Sequence, residues 1–379
     1  MKVVSSRRRG QKRGGKIRYA VVGLGHIAQF AVLPAFENAH ENSVLTALIS
    51  DDATKLNTMG REYGVKYLFH YDEYETCLHS GLIDAVYIAL PNNLHREYAV
   101  RAANAGIHVL CEKPLAVTED DCQKIIKACA ENNVKLMTAY RLHFERGNLE
   151  AIDSVHSGQI GEPRIFNSVF TMQVAKHNIR THGQYAGGTL YDIGIYCINA
   201  ARYIFRDEPI EATCFTASSN DPRFREVEEM ASAILRFPKN RLASFTVSFG
   251  AEDTADFEVV GTKGKLRAIR AYEYTEPVAL ELTVQNRTRR KAYGLRDQFG
   301  PELIYFSDCV LNDREPEPSG IEGLRDVHII RSLYESAHTG VAVKLQQIQR
   351  HRHPGLRQEI YRPRTITNPR LVNVEAPAK

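Results

Sequence analysis

The chain has 379 residues, 43% of them apolar and 25% charged, with 49 lysines and arginines against 45 aspartates and glutamates. That length exceeds what a single hydrophobic core usually serves, so at least two domains are expected. The ordinary composition excludes collagen-like and wholly disordered classes, and no run approaches the roughly 20 apolar residues that cross a bilayer, so no membrane partner is expected.

The net charge of +4 is local. Lys2, Arg7, Arg8, Arg9, Lys12, Arg13, Lys16 and Arg18 carry eight positive charges with no acid among them, and removing them leaves −4 on the rest. A basic tail on a mildly acidic body lacks the basic face of a nucleic-acid reader, so no nucleic-acid partner is expected. Residues 1–16 read as a disordered or partner-binding arm. The N-terminus, Arg7-Arg8-Arg9 included, is not followed by the apolar segment of a secretory signal. The seven cysteines, at 77, 111, 122, 129, 197, 214 and 309, are odd in number and form no CxxC pair. They fit reduced, buried thiols in a cytoplasmic protein. No histidine, cysteine and acid cluster has metal-ligand spacing, so no metal is expected.

In chain order, Tyr19–Val22 reads as a first strand, followed by a helix over 27–39 and a second strand over 44–49. Ala85–Leu90 is a nearly continuous apolar run, as in a parallel strand covered on both faces. A helix over 97–105 is stopped by Gly106, and His108–Cys111 is the next strand. Thr118 caps a helix, with Asp121 as an acidic variant of a capping box, and Lys135–Ala139 closes the series. Alternating strands and helices with short joins predict a doubly wound parallel sheet over 17–141. From about Arg164 the period changes. Leu242–Phe249 alternates apolar with polar residues, so Ser244, Thr246 and Ser248 share one face. Residues 257–269 read as a hairpin, 278–284 as a strand, and 303–311 and 324–337 as helices. The span 142–345 is therefore an α+β domain with a large antiparallel or mixed sheet, and 346–379 an extended tail.

The first strand breaks into Gly23-Leu24-Gly25-His26-Ile27-Ala28. Gly23 permits the tight turn, Gly25 lets backbone approach a pyrophosphate, and Ala28 keeps helix and strand close. The amides at His26 and Ile27 would hold phosphate at a helix N-terminus. Strand, glycine turn, helix and a βαβ series together predict a dinucleotide-binding, Rossmann-type domain. At the end of the second strand, Asp51 argues for NAD, whereas Ser50, Lys55 and His26 argue for NADP. The sequence leaves both open.

Glu112-Lys113-Pro114 falls at the carboxyl end of a parallel strand, where open α/β sheets bind ligands. Proline biases Lys113 toward extended geometry, and Glu112 is positioned to orient it. An ammonium there would stabilise the alkoxide from which hydride leaves. Asp192 and Tyr196 are spaced to share a helical face. A tyrosine beside a cation such as Lys113 is a plausible acid/base for an alcohol and ketone pair. Pro91 and Asn92 follow another strand end, with Asn92 a candidate ligand of the nicotinamide ribose and His95 of the pocket wall. Arg141 and Arg180 are candidate ligands of sugar hydroxyls.

These segments, with IDAVYIALPNNLH at 83–95, HVLCEKPLA at 108–116, GGTLYDIGIYCINAARYIF at 187–205 and GIEGLRDV at 320–327, resemble the Gfo/Idh/MocA oxidoreductase family over roughly residues 17–345. Within it the chain looks most like the glucose–fructose oxidoreductase type and related sugar dehydrogenases. The resemblance implies a Rossmann domain followed by an open-faced, mostly antiparallel sheet that forms a homodimer or homotetramer contact. It also implies Lys113 at the substrate and nicotinamide ribose, Tyr196 as acid/base and Asp192 beside it. Two departures stand out. The glucose–fructose type has three glycines where this chain has Gly187 and Gly188, and a glycine where Asp51 stands. The expected function is hydride transfer between NAD or NADP and a sugar or polyol carbon. The alternatives are a transhydrogenase that keeps its cofactor, and a non-catalytic regulatory protein that binds dinucleotide.

Overall fold

The computed structural model describes residues 15–348, 352–365, 369, 371–374 and 376–377. Most of the basic arm expected over 1–16 lies outside the described residues. The elements in chain order are β1 (Ile17–Val22), α1 (Leu33–Asn38), β2 (Ser43–Ile49), α2 (Ala53–Glu62), β3 (Tyr67–Phe69), α3 (Tyr74–His79), β4 (Ala85–Ile88), α4 (His95–Asn104), β5 (His108–Glu112), α5 (Glu119–Glu131) and β6 (Leu136–Ala139). There follow α6 (Arg146–His156), β7 (Pro163–Thr171), α7 (Ile195–Phe205), β8 (Glu211–Ala217), β9 (Met230–Phe237), β10 (Arg241–Ser248), β11 (Thr254–Gly261), β12 (Gly264–Ile269), β13 (Ala279–Val284), β14 (Arg287–Ala292), α8 (Gly300–Leu311), α9 (Gly320–Thr339) and β15 (Val343–Lys344).

The first six strands form a parallel sheet in the order β3-β2-β1-β4-β5-β6. Strand order reverses between β1 and β4, and a crevice opens there at the carboxyl ends. Tyr19 to Val22 and Ala85 to Ile88 are wholly buried, as their unbroken apolar runs require. The remaining strands form a nine-stranded sheet, β14-β13-β12-β11-β7-β10-β9-β8-β15, antiparallel except where β7 and β10 run together. The alternation in β10 places Ala243, Phe245 and Val247 in the core under α6 and α7. Among the described residues the opposite face carries no helix, and Ile165, Val169, Phe215, Ile234 and Leu242 are exposed on it.

Two late helices return to the first sheet. On α8, Leu303, Ile304 and Phe306 pack against Tyr19, Val21 and Ala35, and the buried Tyr19 hydroxyl lies 2.8 Å from Ser307 Oγ. On α9, Gly320 meets Leu136 and Ile126, and Gly323 meets Leu115, at distances where an added methyl would clash. The helix ends at Gly340, in the left-handed conformation (φ 73°). The described part of the C-terminal segment also folds back onto the first domain, where Arg362 pairs with Glu41 at 2.7 Å.

A wholly buried guanidinium joins α7 to α9. Arg202 bonds Asp326 at 2.6 Å, Glu208 at 2.7 Å and Glu322 at 3.0 Å. Removing it would leave the buried Asp326 carboxylate without the cation it faces, a loss of about 3–5 kcal/mol. Arg202→Leu is therefore expected to lower the midpoint of urea unfolding substantially, and a midpoint within experimental error of the parent would contradict this reading.

Candidate active site

The glycine turn sits at the head of the crevice. Gly23 has φ 93°, and a Cβ there would lie 2.5 Å from the Ala89 carbonyl oxygen, so only glycine lets β1 turn so close to β4. Gly25 differs: a Cβ on it would meet nothing within 4 Å. Its open side is the cradle that a pyrophosphate needs, and the helix that follows presents its N-terminus there. Wholly buried Ala28 closes the helix against the strand. This helix begins with a π-helical turn over Ala28–Val32 before α1 continues it. The residues present fit a dinucleotide.

At the end of β2, Asp51 is exposed. Asp52 caps α2, accepting from the amides of Thr54 (2.8 Å) and Lys55 (3.0 Å), and the Lys55 ammonium lies 4.0 Å from the same carboxylate. Ser50 departs from expectation. It is 1% exposed, and its hydroxyl accepts from the Asp52 amide, so it serves the turn and presents no hydroxyl to a 2′-phosphate. His26 stacks on Phe30 (5.3 Å between centroids), and burial together with the nearby Arg180 charge pushes its imidazole down to about 4, so it is neutral at physiological pH.

Lys113 leaves the end of β5 through a cis peptide to Pro114. Its ammonium crosses to the second domain, donating to the Asp192 carbonyl at 2.7 Å and to Asp192 Oδ1 at 3.0 Å. Arg180 Nε holds the other oxygen, Oδ2, at 2.6 Å. Burial opposes the Asp192 charge, but Arg180 and Lys113 override it and hold the carboxyl well below its ordinary range. Burial likewise disfavours the Lys113 charge, yet Asp192, Tyr196 and Glu112 leave its affinity for the proton raised. Asp192 lies in a π-helical turn over Leu190–Gly194 and Tyr196 in the first turn of α7. That turn widens the helix where the two side chains converge, a recurrent feature of functional sites.

Tyr196 is surrounded by cations. Lys113 Nζ lies 5.0 Å and Arg141 Cζ 5.1 Å from its ring centroid. Both cations lie over the ring face, and Arg180 acts on Tyr196 through space. The glycines before this helix are required by contact: a Cβ on Gly187 would lie 2.2 Å from the Arg180 carbonyl oxygen, and one on Gly188 2.6 Å from the Tyr334 hydroxyl. They let the loop bearing Arg180 fold tightly against α7 and α9.

Several expected ligands have other tasks. His95 is fully buried, with Nδ1 2.8 Å from the Pro114 carbonyl and Nε2 2.9 Å from that of Leu90. It braces the lysine turn against the end of β4 and has no side left for a cofactor. Asn92, after Pro91, gives its side-chain amide to the Ala186 carbonyl at 2.9 Å and so ties the first domain to the glycine loop. Glu112 accepts from Tyr87 (2.8 Å) and from the Lys113 backbone amide (3.3 Å), and so fixes backbone while Asp192 aims the ammonium. Arg141 is 6% exposed, and its two terminal nitrogens bond Gln298 and the Tyr272 carbonyl. It backs Tyr196 instead of reaching outward for a sugar.

The sequence reading missed Tyr272, Tyr274, Gln298 and Glu302. Tyr274 flanks the crevice between Phe30 (5.9 Å) and Arg141 (5.0 Å). Glu302 is buried with neither carboxyl oxygen hydrogen-bonded among the described residues, and burial followed by the Glu112 charge raises it well above an ordinary carboxyl. None belongs to a local motif, since each reaches the site only through the return of the chain after β12 and onto α8.

Fold and cleft define a dinucleotide-dependent oxidoreductase. The profile of the oxidoreductase family with an NAD-binding Rossmann fold matches residues 17–140, and that of the GFO/IDH/MocA C-terminal domain matches 149–267. The chain belongs to the Gfo/Idh/MocA family, and its cofactor is NAD or NADP. A D-xylose 1-dehydrogenase [NADP(+)] of Haloarcula marismortui is 32% identical over 337 residues, which is 87% of this chain and 93% of the relative. An aldose–aldose oxidoreductase from Caulobacter crescentus, solved with glycerol, superposes with a TM-score of 0.83 at 35% identity, covering 87% of this chain and all of the other. A 3-ketoreductase from Actinomadura kijaniata, solved with NADP and TDP-benzene, gives 0.77 at 26% identity over 85% of this chain and 98% of its own.

Asp192→Asn keeps the shape of the side chain and removes the charge between two cations. It is expected to cost about 3 kcal/mol at pH 7. Because the folded-state affinity of Asp192 for its proton is depressed, the parent's advantage is complete above the unfolded carboxyl range near 3.8. It should stay constant from pH 8 to 5 and shrink only as pH falls below about 4. Urea melts across that range check the shape, and a gap that closes already between pH 7 and 6 would refute it.

Proposed function

We propose that this protein transfers hydride between nicotinamide and a hydroxyl-bearing carbon of a sugar or polyol. The observation that carries the reading is the convergence of Lys113, from the first domain, with Asp192 and Tyr196 from the second. Bound nicotinamide supplies the hydride donor or acceptor. In reduction, the Tyr196 hydroxyl gives its proton to the carbonyl oxygen, and in oxidation it takes that proton back from the substrate hydroxyl. Lys113, Arg141 and Arg180 compensate the phenolate, and Lys113 also stabilises negative charge on the substrate oxygen. Asp192, pinned between two cations, holds the ammonium in place. The substrate class is supported by the sugar enzymes among the relatives.

Tyr196→Phe should lower kcat by a factor of about 10² to 10³, in the range of lost general acid–base catalysis, while nucleotide affinity stays within about twofold. The assay is a panel of aldoses and polyols with both nicotinamides, read at the reduced-cofactor absorbance. Full activity in this variant would remove the acid/base role. The likeness to an aldose–aldose oxidoreductase supports a second reading, a transhydrogenase that oxidises one sugar and reduces another on retained cofactor. It requires nucleotide that survives dialysis.

The bare face of the second sheet supports self-association. Val169 and Ile234 are 42% and 51% exposed, and Phe215 reaches 73%. An apolar patch of this kind on an uncovered sheet is suited to a second copy of the chain. Sedimentation of Val169→Asp/Ile234→Asp should give monomer where the parent gives dimer or tetramer, and a parent that sediments as monomer at micromolar concentration would end this reading.

A further inference from the structure

The C-terminal segment touches three corners of the cofactor crevice. Val372 pairs with the side-chain amide of Gln29 in both directions: its N–H donates to Gln29 Oε1 at 2.8 Å, and its carbonyl accepts from Nε2 at 3.0 Å. The same Nε2 donates to the carbonyl of Leu24, between the two glycines of the turn. Val372 also packs on the apolar cluster containing Leu24. One residue on, Asn373 donates to Asp52 Oδ2 at 2.8 Å, at the end of β2. Farther along, the Pro377 carbonyl accepts from the Ala175 amide at 3.1 Å. Ala175 lies in the second domain, in the loop that also carries Arg180.

The glycine turn holds pyrophosphate and the end of β2 holds the adenosine ribose in a fold of this kind. The loop at Ala175 borders the opposite side of the cleft. A chain fastened at all three joins the cofactor-binding edge of one domain to the loop of the other. We propose that the residues around Val372, Asn373 and Pro377 form a strap that gates entry and exit of the dinucleotide. Its fastenings suit opening and closing: they are few, a reciprocal pair at Val372 and single bonds at Asn373 and Pro377, and those at Val372 and Asn373 are not fully buried. When shut, the strap ties the cofactor-binding turn to the substrate loop, so cofactor exchange needs the two domains to come apart there. The strap lies beyond both family profiles, the second of which ends at residue 267. The inference rests on nucleotide binding alone and is independent of which sugar is used.

The test locks the strap and then loosens it, in the full-length chain. The backbones of Ala175 and Pro377 approach within disulfide range, and all seven native cysteines are buried. Ala175→Cys/Pro377→Cys can therefore be oxidised selectively, with the bond verified by mass. The chain has no tryptophan, so NADPH and NADH exchange is followed by the emission of the reduced nicotinamide in stopped flow. Oxidation should slow both association and dissociation at least tenfold, and reductant should restore them. Val372→Pro removes the N–H offered to Gln29. Asn373→Gly removes the bond to Asp52 and keeps the left-handed backbone (φ 51°). Together they should speed dissociation severalfold. Equal exchange rates in the oxidised and reduced forms, or no acceleration in the loosened variant, overturn the proposal. Because neither measurement includes a sugar, failure here leaves the hydride-transfer reading untouched, and a protein that turns over no sugar can still pass.

Discussion

The ion pair between Lys113 and Asp192 is the constraint on which the rest of the site depends. The two residues lie 79 positions apart and belong to different domains. Their contact fixes the distance between the cofactor-binding edge of the first domain and the helix that carries Tyr196. A part-buried ammonium and carboxylate are costly to bring out of water, and the structure offsets that cost with a second cation, Arg180, on the free carboxylate oxygen. The result is a chain of alternating charge, lysine, aspartate and arginine, with the Tyr196 ring against its lysine. Asp192 is the keystone between the two cations.

Around that pair, polar groups that first suggest ligands act mainly as braces. His95 spans two carbonyls, Asn92 catches the glycine loop, Glu112 holds the backbone of the lysine turn, and Arg141 is gripped by Gln298 and Tyr272. A buried polar group must find partners, and here the partners are those that keep two domains in register. On the proposed hydride-transfer reading this leaves few groups to meet a substrate: the faces of Tyr196 and Lys113, and the aromatic wall at Tyr274. Such economy suits hydride transfer, where placement of two reacting carbons against one proton donor contributes much of the catalysis.

The architecture was largely readable where local pattern and tertiary role coincide. The buried strands Tyr19–Val22 and Ala85–Ile88 are continuously apolar because helices cover both faces, and β10 alternates because only one of its faces is covered. Elements with weak patterns were not read. β3 has three residues, α2 carries Gly60 and few apolar positions, and α3 is a six-residue helix. The helix α8 was legible as a helix, but nothing in its sequence says that it returns to pack on β1.

By itself the sequence determined the glycine turn, the lysine ahead of a proline and the aspartate–tyrosine helix, because each is a short segment whose chemistry follows from adjacent residues. It determined the family for the same reason. Only the tertiary structure decided what those residues touch. That Asp192 is held by two cations, that His95 and Ser50 face inward, that Arg141 stands behind Tyr196 and that residues near 373 reach Asp52 all depend on contacts between positions tens to hundreds of residues apart. Burial and hydrogen bonding at such separations are set by the packing of whole elements, which no local run of residues encodes.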